Sequence, residues 1–243
     1  LAVIGPNSRS AKIMGGGSAG VRPYRNISPL TALQERLDLT INYAQGCDID
    51  RTTPSIEAPV LKEGINVEFF NSHDQTGTVI ATKSYPSTDF KFFGAPTEDV
   101  DPNTYSFIGK GILCPEFTGT HEIRIVQSGK TRVLIDGEVV IDATEGDFGK
   151  GDDFFGMGSA EIIGEVNLNA DTEVSIEIQF SSEGGILMLG SRIGLKPVME
   201  RDLIAEAEKI ASNADVALVI VGTNDDWETE GRDRDTFTLP GDQ

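Results

Sequence analysis

A chain of 243 residues with 38% hydrophobic content, 27 Gly and 11 Pro has apolar side chains enough for one large or two ordinary globular cores. Its 39 acidic residues against 20 basic ones give a formal net charge of −19. That balance argues against nucleic acid, anionic membrane surfaces and acidic substrates, and leaves a neutral ligand open. No apolar run approaches the roughly 18 residues that a membrane span requires, and no signal peptide is recognisable.

Leu1-Ala-Val-Ile-Gly-Pro-Asn7 predicts a strand stopped by Gly-Pro. Because a strand already opens the sequence and Asp242-Gln243 follow a turn, it reads as an internal piece of a longer chain. Met14–Gly20 is glycine-rich, but its distance from the strand and the lack of a following Lys do not match the loops that cradle phosphates. Glycine also serves where backbone must pass close to a neighbour. Ser28-Pro29 predicts a helix start, Ser28 capping and Pro29 in the first turn, with Leu30, Leu33 and Leu37 on one face. Leu39–Tyr43 predicts a second strand. Asn26-Ile-Ser28 is a glycosylation sequon that matters only in a secretory pathway, so cytoplasmic and secreted locations both stay open.

From Asp48 to Pro59 the composition is that of a polar linker with two prolines. Between Leu61 and Pro197 short alternating runs follow, among them Asn66–Phe70, His121–Val126, Thr131–Ile135, Glu138–Ile141, Glu161–Ile163, Glu173–Phe180 and Ile186–Leu189. Period-two patterning with turn residues between the runs predicts an all-β sandwich or barrel. Asp136-Gly137 is a strong hairpin signal. Met199–Ala214 then predicts a helix, with Leu203, Ala207, Ile210 and Ala211 on one face. Val216–Val221 predicts a strand buried on both faces, as in parallel sheets. The α/β pattern has resumed. The expected organisation is a split α/β domain, 1–55 and 198–243, interrupted by a β-sandwich over 56–197. Cys47 and Cys114 fall in different modules and read as two buried thiols.

Thr223–Asp235, beyond the carboxyl end of the last strand, holds one tryptophan, two arginines and six carboxylates. Ligands of open α/β sheets bind at that position. Trp227, the only tryptophan in the chain, suits a polar ligand with an apolar face, although a core-packing indole fits the sequence equally well. In the Gly149–Gly156 loop, Phe154 and Phe155 would face opposite ways if extended. One ring then anchors the loop and the other covers something.

Three stretches resemble known families. Leu1–Asn7, Gly15-Gly-Gly-Ser-Ala19 and Ser28-Pro29 resemble the start of the second, α/β-sandwich domain of glycoside hydrolase family 3. Trp227-Glu-Thr-Glu-Gly-Arg-Asp-Arg234 and Leu239-Pro-Gly-Asp-Gln243 resemble a later part of that domain in its β-glucosidases. Thr118–Ile125 with Ile135–Asp142 is similar to the PA-14 β-sandwich module. Together these cover nearly the whole chain.

The resemblance implies a retaining β-glucosidase that hydrolyses short β-D-glucosides by double displacement with two carboxyl groups and no cofactor or metal. It implies that the nucleophilic aspartate lies in a preceding barrel domain outside this sequence, so that this segment alone is inactive. The acid/base falls on Glu230, with Glu228 as the alternative, and substrate contacts fall on Trp227, Arg234, Phe154 and Phe155. The partner expected is carbohydrate, with neither nucleic acid nor membrane involved, and the full enzyme is open to homo-oligomer formation. Rival readings are a carbohydrate-binding adhesion protein and a family 3 β-xylosidase. An N-acetylglucosaminidase is disfavoured, because that subgroup tends to place its acid/base on the barrel. Calcium-dependent adhesins carry an Asp-Asp pair where this chain reads Ser128-Gly-Lys-Thr131, so no calcium site is expected there.

Overall fold

The computed structural model describes residues 1–15, 24–198, 201–228 and 233–243. The chain divides into two compact units, one of Leu1–Thr52 with Glu200–Gln243 and the other of Thr53–Met199.

In the first unit, β1 (Ala2–Ile4) is the centre of a parallel three-stranded sheet, between β2 (Asn42–Ala44) and the late strand β13 (Ala217–Val219). The pairing of Ala2 with Ala217 and of Ile4 with Val219 brings the two ends of the chain into one sheet, as an interrupted α/β domain requires. Helix Pro29–Arg36 starts as expected, with Ser28 Oγ accepting the Thr31 N–H at 3.1 Å. Helix Leu203–Ser212 is capped by Asp202, whose carboxylate accepts the Ala205 N–H at 2.9 Å. Its apolar face, Ala207 with Ile210 and Ala211, packs on Ile4 and Ala44.

Two expectations for this unit need correction. The strand expected at Leu39–Tyr43 is confined to Asn42–Ala44, and Leu37 and Leu39 are exposed. The run Val216–Val221, expected to be buried on both faces, forms a parallel strand paired with β1, and within these 243 residues Val216, Leu218, Val219 and Val221 are exposed.

The second unit is antiparallel throughout. A six-stranded sheet runs in the order β4 (Ala81–Tyr85), β3 (Leu61–Phe70), β6 (Ser106–Leu113), β11 (Val174–Ser181), β8 (Lys130–Ile135), β9 (Glu138–Ala143). A four-stranded sheet runs β10 (Ile162–Leu168), β7 (Gly119–Ser128), β12 (Met188–Pro197), β5 (Asp89–Phe93). Alternation delivers one face of each sheet to a shared core. On β5, Phe90 and Phe92 are buried while Lys91 lies between them on the other face. Asp136 and Gly137 both have positive φ, 47° and 82°, and join β8 to β9 as a two-residue hairpin. The last strand starts at Met188 rather than Ile186, and Ile186 and Leu187 are exposed.

The linker expected over Asp48–Pro59 is instead packed. Ile49 is buried in the first unit and Ile56 in the core of the second.

Candidate active site

Parallel pairing aligns the carboxyl ends of β1 and β13, so the loops that follow them emerge side by side. Gly5, at φ 126°, lets the first loop pass the second: a Cβ there would lie 1.9 Å from the Ile220 carbonyl oxygen. Asn7, buried, donates from Nδ2 to the Thr223 carbonyl at 2.8 Å and stitches the two loops together. Lys12 pairs with Asp225 at 3.0 Å. A Cβ on Gly15 would come within 2.9 Å of the Glu228 carbonyl oxygen, so the first glycine of the glycine-rich loop serves close backbone approach. Residues 16–20 of that loop lie outside the described residues.

The acidic loop begins with a turn built on Asn224. Its carbonyl accepts the N–H groups of Trp227 and Glu228 at 3.0 and 2.9 Å. Its side-chain oxygen accepts the Asp226 N–H at 3.1 Å, and Nδ2 donates to Asp50 at 3.0 Å. Asn224 is itself buried, which explains an asparagine here: one side chain serves both a donor and an acceptor. Trp227 donates its Nε1–H to the Ile49 carbonyl at 2.6 Å, and the Arg51 guanidinium lies over the indole, 5.3 Å from its centre. At the far end of the loop Gln243 brackets Gly222, accepting its N–H at 2.8 Å and donating to its carbonyl at 2.9 Å. The Leu-Pro-Gly-Asp-Gln run thus closes the loop on itself.

Arg51, Trp227, Asp233, Arg234, Thr238 and Leu239 are among the residues that line a cavity of about 150 Å³ here. The lining mixes both charges with an aromatic and an aliphatic surface, as a site for a polyhydroxylated ligand needs. Glu228 is already engaged: its Oε1 lies 3.0 Å from Arg234 Nε and accepts the Thr223 hydroxyl at 3.2 Å. Glu230 and Arg232 lie outside the described residues.

Phe154 and Phe155 belong to the second unit. They are not extended: both adopt left-handed backbone, φ 55° and 56°, ahead of Gly156 at φ 75°. The tight turn, rather than strand alternation, separates the rings. Phe154 is buried against Val126, Met157 and Met188. Phe155 is 54% exposed and lies 5.9 Å from the ring of Phe93, itself 61% exposed. At Ser128–Thr131 the Lys130 ammonium sits between Glu145 and Glu183, at 3.1 and 3.0 Å. Among the described residues no three His, Cys, Asp or Glu side chains converge as a metal site would need.

Arg51 and Ile49 went unread in the sequence, where Asp48–Pro59 has the texture of a linker. Two isolated isoleucines among polar residues, Ile49 and Ile56, are the sign there that the segment packs.

The model of the Glycosyl hydrolase family 3 C-terminal domain matches residues 1–243. A Beta-glucosidase of Rhizobium radiobacter is 30% identical over 100% of this chain and 30% of its own length. A crystal structure of the Beta-glucosidase from Kluyveromyces marxianus superposes with TM-score 0.85 at 23% identity, covering 98% of this chain and 30% of that one. A second structure of that enzyme, in complex with glucose, gives 0.84 at 22% identity with the same coverage. At these identities the superpositions speak for the fold. The chain spans about 30% of the length of the curated relatives it matches.

Proposed function

The chain belongs to glycoside hydrolase family 3, and from that premise we propose that it supplies the acid/base part of the active site of a retaining β-glucosidase. The observation that carries the reading is the acidic loop after β13, tied to the loop after β1 and bordering a cavity of mixed polarity. The glycone is glucose: the named relatives are beta-glucosidases, and one was crystallised with glucose.

In this reading an aspartate outside the 243 residues attacks the anomeric carbon while Glu230 protonates the departing glycosidic oxygen. Glu230 then takes a proton from water as that water attacks the glycosyl-enzyme. Glu230 is preferred to Glu228 because the Glu228 carboxylate is bound to Arg234 and Thr223. Arg234 accordingly acts by holding Glu228, and Trp227 walls the cavity. The exposed ring of Phe155, with Phe93, forms the wall on the aglycone side, and Phe154 anchors it. Sugars present CH-rich faces to which an aromatic ring is complementary. Short β-glucosides are the substrates, and the 243 residues alone turn over none.

The test is Glu230→Gln in the intact enzyme. Loss of general-acid assistance should cost about 10²–10⁴-fold on glucosides with poor leaving groups and far less on activated aryl glucosides. Azide should restore turnover by replacing the activated water. Should Glu228→Gln show this pattern and Glu230→Gln not, the assignment moves by two residues. Phe155→Ala should raise KM for disaccharides and leave small aryl glucosides less affected; equal kinetics on both would remove the ring from the site.

A further inference from the structure

The segment Ile49–Thr52 has no part in the chemistry just described, yet each of its four residues grips the turn that leads into the acidic loop. The Ile49 carbonyl accepts the indole N–H of Trp227, and Asp50 accepts the Asn224 amide. Arg51 donates from Nη1 to the Asp226 carbonyl at 3.3 Å while its plane lies over Trp227. The Thr52 hydroxyl reaches Asp226 Oδ2 at 3.4 Å. Only a planar, always charged group with several donors can cover an aromatic face and bond a carbonyl beside it at once. Arg51 also lines the cavity, as do Asp233 and Arg234.

We propose that Arg51 is a positioning residue for the acid/base. It fixes the Trp227 ring and the Asp226 backbone, the turn from which the chain runs on to the proton donor four residues beyond Asp226. This rests on the assignment of Glu230. The sensitivity follows from geometry, because misplacing a catalytic group by about 1 Å is enough to cost on the order of 10²-fold. A merely structural arginine would lower stability and scale down all substrates alike. A positioning arginine affects the step that needs the proton.

The experiment is a leaving-group series of aryl β-glucosides, run on the intact enzyme as wild type, Arg51→Ala, Arg51→Lys and Glu230→Gln, with Tm recorded for each. Arg51→Ala should lower kcat/KM by about 10- to 100-fold on poor leaving groups and by less than about 3-fold on dinitrophenyl glucoside, steepening the leaving-group dependence as Glu230→Gln does. Arg51→Lys keeps the charge and the stem but cannot stack and bond together, so its slope should fall between wild type and Arg51→Ala. Should Arg51→Ala fail to fold, that intermediate slope carries the test. A uniform loss across the series, or a change in Tm alone, while Glu230→Gln steepens it, overturns the role of Arg51 and leaves the acid/base standing. A flat series for Glu230→Gln overturns both.

Discussion

In residues 53–199 the rings of Phe69, Phe90, Phe92, Phe107 and Phe180 interlock within one continuous apolar core. In residues 1–52 and 200–243 the described apolar cluster is Ile4, Ala44 and Ala207, with Ile210 and Ala211 beside it. That second region is held by directional contacts: Asn7 to Thr223, Asn224 to Asp50, Trp227 to Ile49 and Gln243 to Gly222. The difference is one of purpose. Apolar burial is non-directional and grows with area, so it makes a rigid body without specifying the place of any one polar atom. Hydrogen bonds contribute about 0.5–1.5 kcal/mol net apiece but set position within fractions of an ångström. The region proposed to carry the chemistry is built of position, and the insert is built of area.

The sharpest way to break this contrast is Phe107→Ala. Phe107 is fully buried and lies within 6.3 Å, centre to centre, of Phe69, Phe90, Phe92 and Phe180. Its truncation should cost about 3–5 kcal/mol in chemical denaturation, while the protein that remains folded keeps wild-type kinetics. A loss under about 1 kcal/mol would show that the core refills and that area is not what holds the insert. Asn224→Ala is the counterpart in the other region. It strips partners from the Asp226 N–H and from Asp50 and should cost about 1–3 kcal/mol. Turnover should fall further than stability predicts, because the turn it shapes leads into the acidic loop. Unchanged kcat/KM in a folded Asn224→Ala enzyme would mean that the polar clamps do not set the site.

The sequence discloses these two regions unequally, for the same physical reason. Period-two alternation is a property of each short segment, so the sandwich is readable in Glu173–Phe180 or Thr131–Ile135 without knowing their partners. The hairpin at Asp136-Gly137 and the capped start at Ser28-Pro29 are equally local. Even the pairing of Leu1–Ile4 with Val216–Val221 follows, since neither end has enough chain to bury a core alone. What stays hidden depends on residues far apart in the chain. Arg51 and Trp227 are separated by an entire module, and nothing in Asp-Ile-Asp-Arg tells that its carbonyl meets an indole. Strand Ser106–Leu113 hides similarly, for Gly109 and Gly111 weaken its pattern; a Cβ on either would lie 2.9 or 2.5 Å from the Ile65 side chain.

The smallest effect expected lies on the surface of the sandwich, where electrostatics supplements area. Arg132 and Asp142 face each other across the β8–β9 hairpin, Arg132 bonding the Asp142 carboxylate at 2.7 and 3.0 Å. The Thr144 hydroxyl donates to the other oxygen at 2.6 Å. Thr144 first, and Arg132 after it, hold the Asp142 carboxyl below the usual aspartate range. With the folded value depressed, the unfolded chain binds more protons between the two values, so stability rises with pH across that interval. The contribution is complete above the unfolded aspartate value of about 3.9 and is lost as pH falls through the folded one. Both side chains are more than a third exposed, so solvent screening keeps it below about 1 kcal/mol. Asp142→Asn should therefore be slightly less stable than wild type at pH 7, and the gap should close as pH falls through the folded Asp142 value and narrow in high salt. A gap of the same size at neutral and at acid pH would assign the effect to the packing of the hairpin and remove charge from the account.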